Sequence, residues 1–168
     1  ETAQESAGEE TQTAETQNEE ARDGGAGGTL VAYFTYAENA ELPEGIDASA
    51  SASIQSWNGE VTGNTGAVAH MIGEETGGEL FSIRTVEKYP DSYDDTVDQG
   101  QEEQREDARP QLETHIENLE DYGTVFLGYP NWWGDMPMAV YSFLEEYDLS
   151  GKAVIPFVTS GGSGFSDT

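Results

Sequence analysis

Three short runs carry residue types suited to holding a small phosphorylated or aromatic ligand. Thr62-Gly63-Asn64-Thr65 opens a helical pattern. A helix N-terminus presents unpaired backbone N–H groups and a partial positive charge, so it receives phosphate. Gly63 permits close approach, and the side chains of Thr62, Asn64 and Thr65 add donors. The same residue types are ordinary helix caps, and spacing alone leaves both readings open. Pro130-Asn131-Trp132-Trp133-Gly134 follows an apolar run. Adjacent tryptophans point opposite ways, so one turned inward leaves the other to stack on a flat ligand; the plainer alternative has both covering a helix–sheet seam. Thr159-Ser160-Gly161-Gly162-Ser163-Gly164 is a run of small residues whose backbone amides can approach a ligand edge, or else a flexible loop.

Other chemistries find little support. Gly151-Lys152 is followed by Ala153, so it is not a Walker loop, and no G-x-G-x-x-G follows the first strand-like run. Ser163 is not a nucleophile elbow, because Phe165 stands where that motif needs glycine. His70 reads as a partly buried structural histidine and His115 as a solvated one. No Ser–His–Asp or paired-carboxylate site stands out, and no residue is assigned as catalytic.

The elements that must position these runs follow from patterning. Thr29–Thr35, Leu80–Val86, Thr124–Tyr129 and Ala153–Val158 are short apolar, β-rich runs. Pro156 suggests that the last lies near a sheet edge. Helices are expected from Thr62 to a stop at Gly77, with Val68, Ala69, Met71 and Ile72 on one face, and from Met136 to Tyr147. A polar helix with little to pack is expected within Asp91–Asp107, and a short one near Leu112–Leu119 after Pro110. Tyr36–Val61 reads as a long excursion loop. Strands alternating with helices imply a parallel sheet with helices on both faces, and ligands then sit at the carboxyl ends of the strands.

Composition narrows the partners. The 168 residues include 6 Lys plus Arg against 34 Asp plus Glu, a net charge of −28. That disfavours nucleic acid, whose binding depends on cations neutralising phosphates, and anionic lipid surfaces. The absence of cysteine excludes disulfides, Cys-ligated zinc and iron–sulfur clusters. No apolar run reaches the roughly 18–20 residues of a membrane helix, so no direct membrane insertion by this chain is expected. Residues 1–28 contain no large apolar side chain and read as a disordered acidic tether before a domain spanning 29–168. The tether and the first residue, Glu1, fit an extracytoplasmic protein anchored through a removed N-terminus, with a cytoplasmic one as the alternative.

Taken together, these motifs resemble those of the flavodoxin-like FMN proteins. The likeness rests on Tyr33-Phe34-Thr35, Thr62-Gly63-Asn64-Thr65, Gly128-Tyr129-Pro130-Asn131-Trp132-Trp133-Gly134, Met136-Pro137-Met138, Phe143-Leu144-Glu145, Ser150-Gly151-Lys152 and Thr159–Phe165. It implies a three-layer α/β sandwich with a parallel sheet of order 2-1-3-4. The fifth strand of that fold is absent from this sequence, so the domain is expected to be C-terminally incomplete. The stretch 36–61 separates the first strand from the phosphate turn, as in a subgroup with an extended loop bearing a pair like Glu38-Asn39. The resemblance also implies non-covalent FMN. Thr35 and the Thr62–Thr65 turn would hold the phosphate. Pro130, Asn131, Trp132, Trp133 and Gly134, with Ser160, Gly161, Gly162, Ser163 and Gly164, would surround the ring. An electron carrier with redox partner proteins is the first expectation. An FMN-dependent NAD(P)H or quinone oxidoreductase, acting on small quinone-like acceptors, is the second, and a flavin-free binding module the third.

Overall fold

The computed structural model describes residues 27–46 and 53–168. The expected tether therefore lies almost wholly outside the described residues, as do residues 47–52. The first strand, β1 (Gly28–Tyr33), is buried on both sides, which explains its unbroken apolar run. Leu30 and Ala32 face one layer, Val31 and Tyr33 the other, as the two-residue period of a strand requires. β1 pairs in parallel with β4 (Glu79–Ser82) and with β5 (Tyr122–Pro130), and β5 pairs in parallel with β6 (Ala153–Thr159). The sheet order is β4-β1-β5-β6, the expected 2-1-3-4 arrangement of the four core strands. β6 is the last strand of the described sheet, and its Val154 and Ile155 are exposed.

Helices cover both faces. α2 (Asn64–Thr76) ends at Gly77, which adopts φ 67° as a left-handed cap. α2 packs on Val31 and Tyr33 through Ala69 and Ile72. Its buried face is made of Thr65, Gly66, Ala69 and Gly73, small residues that bring the helix close to the sheet, and Met71 points outward rather than inward as expected. α4 (Met138–Glu146) seats Ala139, Val140 and Phe143 against Leu30, Ala32, Val125 and Leu127.

Three expectations need correction. Residues 36–61 are not one loop: they hold a short helix, α1 (Tyr36–Asn39), and a hairpin of β2 (Ile54–Trp57) and β3 (Glu60–Gly63). Its turn is Asn58-Gly59, both with positive φ (51° and 88°), the combination a two-residue hairpin demands. Trp57 stacks on His70 of α2, with centroids 5.7 Å apart and planes 17° off parallel, which fastens the hairpin to the domain. Second, no helix forms at Leu112–Leu119. The segment runs extended beside residues 84–86, with the Glu113 N–H donating to Arg84 O at 2.7 Å and the Val86 N–H to Gln111 O at 2.9 Å. Leu112 is buried there; past Ser82, the Ile83 N–H still donates to Tyr33 O at 2.8 Å, and the chain turns to this segment from Arg84 onward. Third, α3 (Tyr93–Arg105) is not idle: Gly100 sits against the ring of Trp132, where a Cβ would come within 3.2 Å.

Two buried tyrosines give the fold a pH limit. The Tyr33 hydroxyl donates to the Glu38 carboxylate at 3.1 Å, and the Tyr89 hydroxyl to Glu103 at 2.8 Å. Burial, reinforced by each neighbouring carboxylate, pushes both phenols well above their usual range. Their folded pKa values lie above the unfolded value near 10, so the stability they contribute is complete below about pH 10 and is lost as pH rises above it. We expect urea midpoints to be level up to that pH and to fall beyond it, Tyr89 alone contributing up to about 1.4 kcal/mol per pH unit. Tyr89→Phe should flatten the decline; a midpoint unchanged between pH 10 and 11 in the parent would refute this account.

Candidate functional site

The carboxyl ends of β1, β5 and β6 open into one cavity of about 1110 Å³. Each candidate run reaches it by a different element. Thr35 enters from just past β1, and Asn64 and Thr65 from the first turn of α2. Pro130, Asn131, Trp132 and Trp133 arrive from the end of β5, and Ser160 and Gly161 from just past β6.

At the α2 end the donors are hydroxyls, amides and the helix terminus. Thr35 and Thr65 are 2% and 1% exposed, so both are set by packing. The Thr65 and Thr159 hydroxyls lie 2.8 Å apart, joining the start of α2 to the end of β6. Gly63 has a packing reason to be glycine: a Cβ there would lie 1.9 Å from Thr35 Oγ1. Thr62 does not line the cavity. Its hydroxyl donates to Glu38 at 2.7 Å. The Glu38 carboxylate also accepts from Tyr33, Ser82 and Arg84, tying α1 to three strands. Its neighbour Asn39, fully buried, donates to Thr35 O and Ile83 O and accepts from the Thr85 N–H. The Glu38-Asn39 pair is thus a clasp that holds the chain at Thr35.

The tryptophans divide as one reading of the sequence allowed. Trp132 turns in, edge-on to Phe34 and Tyr89 at 5.4 and 5.3 Å between centroids. Trp133 is half exposed, holds φ 55°, and its indole N–H donates to Val97 O at 3.0 Å. Left-handed backbone in a large residue is uncommon and marks a position held by its surroundings. Asn131 supplies the hold. Its Oδ1 accepts from the Gly134 N–H at 3.0 Å and its Nδ2 donates to Gly164 O at 2.9 Å, so the tryptophan loop and the terminal loop form one bracket. Gly134 lies outside the cavity lining, and its carbonyl accepts from the Asp167 N–H. Gly162, Ser163 and Gly164 also lie outside it. The Gly162 and Gly164 amides donate to Ser160 Oγ at 3.4 and 3.1 Å.

Further walls escaped the sequence reading. Tyr36, Ile46, Ser53 and Ile54 come from the segment after β1, and Asp91, Tyr93, Thr96, Val97 and Gly100 from α3 and its approach. The Asn58-Gly59 turn signal would have exposed the hairpin and with it Ser53 and Ile54; nothing in the pattern of α3 announces its place on the cavity. Among the described residues, no lysine, arginine or histidine lines the cavity, and Asp91 is the one carboxylate that does. No group of three or more metal-ligating side chains exists among the described residues.

A parallel four-stranded sheet flanked by helices, with a cavity of about 1110 Å³ at its strand ends, is the architecture of a flavodoxin-like protein. A flavodoxin family profile matches residues 58–168, so the chain belongs to that family. Solved structures agree. A candidate flavoprotein of Bacteroides uniformis is 29% identical, with 84% of this chain and 78% of that one covered and a TM-score of 0.63. One from Bacteroides eggerthii is 28% identical over 82% of this chain and 74% of that one, with a TM-score of 0.62. A flavoprotein of Lactobacillus acidophilus, solved in complex with FMN, is similar in fold at 20% identity and a TM-score of 0.57, covering 82% of this chain and 77% of that one. No curated protein sequence matches the chain.

Proposed function

We propose that this flavodoxin-like chain binds FMN non-covalently and serves electron transfer through it, between redox partner proteins or with small quinone-like acceptors. One observation carries the reading: a single cavity joins an anion-receptive helix start, with two packed threonine hydroxyls, to an outward tryptophan face. The donor set fits a phosphate held without cations, as helix N-termini allow. Gly161 leaves open space where a side chain would stand, so its backbone is free to meet a ring edge. FMN supplies the redox chemistry when bound; the protein orients it and sets its surroundings. In this reading Thr35, Asn64 and Thr65 grip the phosphate, and Trp133 covers one face of the ring.

An FMN-dependent oxidoreductase is the second reading. It is favoured by the cavity's size, which exceeds the roughly 300–1,000 Å³ of a site for one small ligand.

The experiment is a pair of affinities. Trp133→Ala should weaken FMN and riboflavin alike, each by about tenfold, or 1.4 kcal/mol, because the ring is common to both. Unchanged affinity for both ligands would remove the stacking role. A protein purified without flavin bands, and taking up none, would leave only a binding module with the fold.

A further inference from the structure

The five cations among the described residues are all engaged away from the cavity. Six lysines and arginines exist in the whole sequence, and five lie among the described residues. Arg84 pairs with Glu38, Lys88 with Glu113, and Arg109 with Asp107 and Glu145. Arg105 bonds to Gln101, and Lys152 donates to Leu119 O and Tyr122 O. The sixth, Arg22, lies outside the described residues, and positions 47–52 add no cation by sequence.

The cavity also has more wall than the phosphate turn and the tryptophan loop provide. α3 and its approach bring Asp91, Tyr93 and Val97, and the segment after β1 brings Tyr36, Ile46 and Ile54. This part is aromatic and apolar, with a carboxylate at its rim. It is also braced: Tyr36 donates to Pro90 O at 2.6 Å, and Thr96 to the same oxygen at 3.1 Å. Aromatic faces beside a carboxylate attract flat molecules without negative charge, and cations most. The net charge of −28 works the same way at longer range.

We propose that the outer part of this cavity, bounded by Tyr36, Asp91 and Tyr93, binds a planar heteroaromatic molecule of zero or positive charge, and that it rejects nicotinamide nucleotides and other anions. The proposal rests on the FMN reading, which assigns the remaining wall to the flavin. It names the ligand class that the flavin would meet. A nicotinamide nucleotide carries a pyrophosphate, which here finds no cation among the described residues, while the α2 terminus is taken by the FMN phosphate.

The test holds one ring constant and varies its charge. N-methylphenazinium, phenazine and phenazine-1-carboxylate are titrated onto the FMN-loaded protein in about 150 mM salt, where distant charges are screened. Binding is read from the absorption of the bound flavin. The cation and the neutral compound should each bind at least about tenfold more tightly than the carboxylate. NADPH should leave the spectrum unmoved. Asp91→Asn should narrow the gap between N-methylphenazinium and phenazine without weakening phenazine, and Tyr93→Ala should weaken both. Equal or tighter binding of the carboxylate or of NADPH overturns the proposal, as does failure of all three rings to bind or release of FMN by them. Failure to hold FMN at all is seen before any probe is added and sinks the parent reading instead. The same charge series on the flavin-free protein then decides whether the wall selects by charge.

Discussion

Asn39→Ala should come close to unfolding the domain. The side chain is fully buried and serves three backbone groups at once: it donates to Thr35 O and Ile83 O, each at 3.0 Å, and accepts from the Thr85 N–H at 2.8 Å. Alanine leaves the Ile83 carbonyl and the Thr85 N–H without this partner in a buried place, and the Thr35 carbonyl with only its bond inside α1. An orphaned buried polar group costs about 1–3 kcal/mol, so the sum is several kcal/mol against the roughly 5–15 kcal/mol that holds a domain together. Asn39→Asp is the informative companion. It keeps the acceptor toward Thr85, loses both donors and adds a buried charge, and should be no better than alanine. Urea unfolding measures both; a midpoint within experimental scatter of the parent would mean the clasp is not what fastens the chain after β1. Because Asn39 holds the Thr35 carbonyl, any variant that still folds should also bind FMN more weakly.

Much of this architecture was legible in the order of residues, because it depends on local pattern. The apolar runs at Thr29–Thr35 and Thr124–Tyr129 are buried strands whose side chains meet a layer on each face, and such strands read as continuous apolar stretches; Ala153–Val158 also pairs as a strand, but as the last of the described sheet, with Val154 and Ile155 exposed. Gly77 ends α2 as its type predicts. What stayed hidden depends on distant partners. Leu112 and Leu119 stand at a helical spacing, yet Leu112 is buried by extended pairing with residues 84–86, which no local period encodes. Glu38 and Asn39 are recognisable as a pair, but their work lies in Tyr33, Thr62, Ser82 and Thr85. The hairpin was available in principle from Asn58-Gly59 between two β-prone stretches, and was masked by the polar residues around it. At the site, residues 64–65, 130–133 and 159–161 meet in one cavity, while Asp91, Tyr93 and Val97 join them from a helix and its approach whose acidic sequence looks like plain surface.

The phosphate turn yields the second large effect. Asn64→Ala combined with Thr65→Ala should weaken FMN by tenfold or more while changing riboflavin little. The two ligands share the ring, and only FMN carries the phosphate. Thr65 Oγ1 is fixed 2.8 Å from Thr159 Oγ1 and lines the cavity with Asn64, whose Oδ1 accepts from Gln55 at 2.8 Å. Hydrogen bonds to a charged group contribute about 1.5–3 kcal/mol each, so losing one or two is worth at least about one decade of affinity. Both alanines are compatible with a helix start, so the fold should survive. Equal weakening of FMN and riboflavin would show that the turn merely caps the helix.

The central claim is that this cavity is an FMN site, and the most direct measurement is a fluorescence titration of FMN with the flavin-free protein. Stacking on Trp133 should quench the flavin's emission with one site per chain and a dissociation constant of about 1 μM or below, near −8 kcal/mol. Riboflavin should bind the same site more weakly. Unquenched FMN at protein concentrations a hundredfold higher, about 100 μM, would contradict the account.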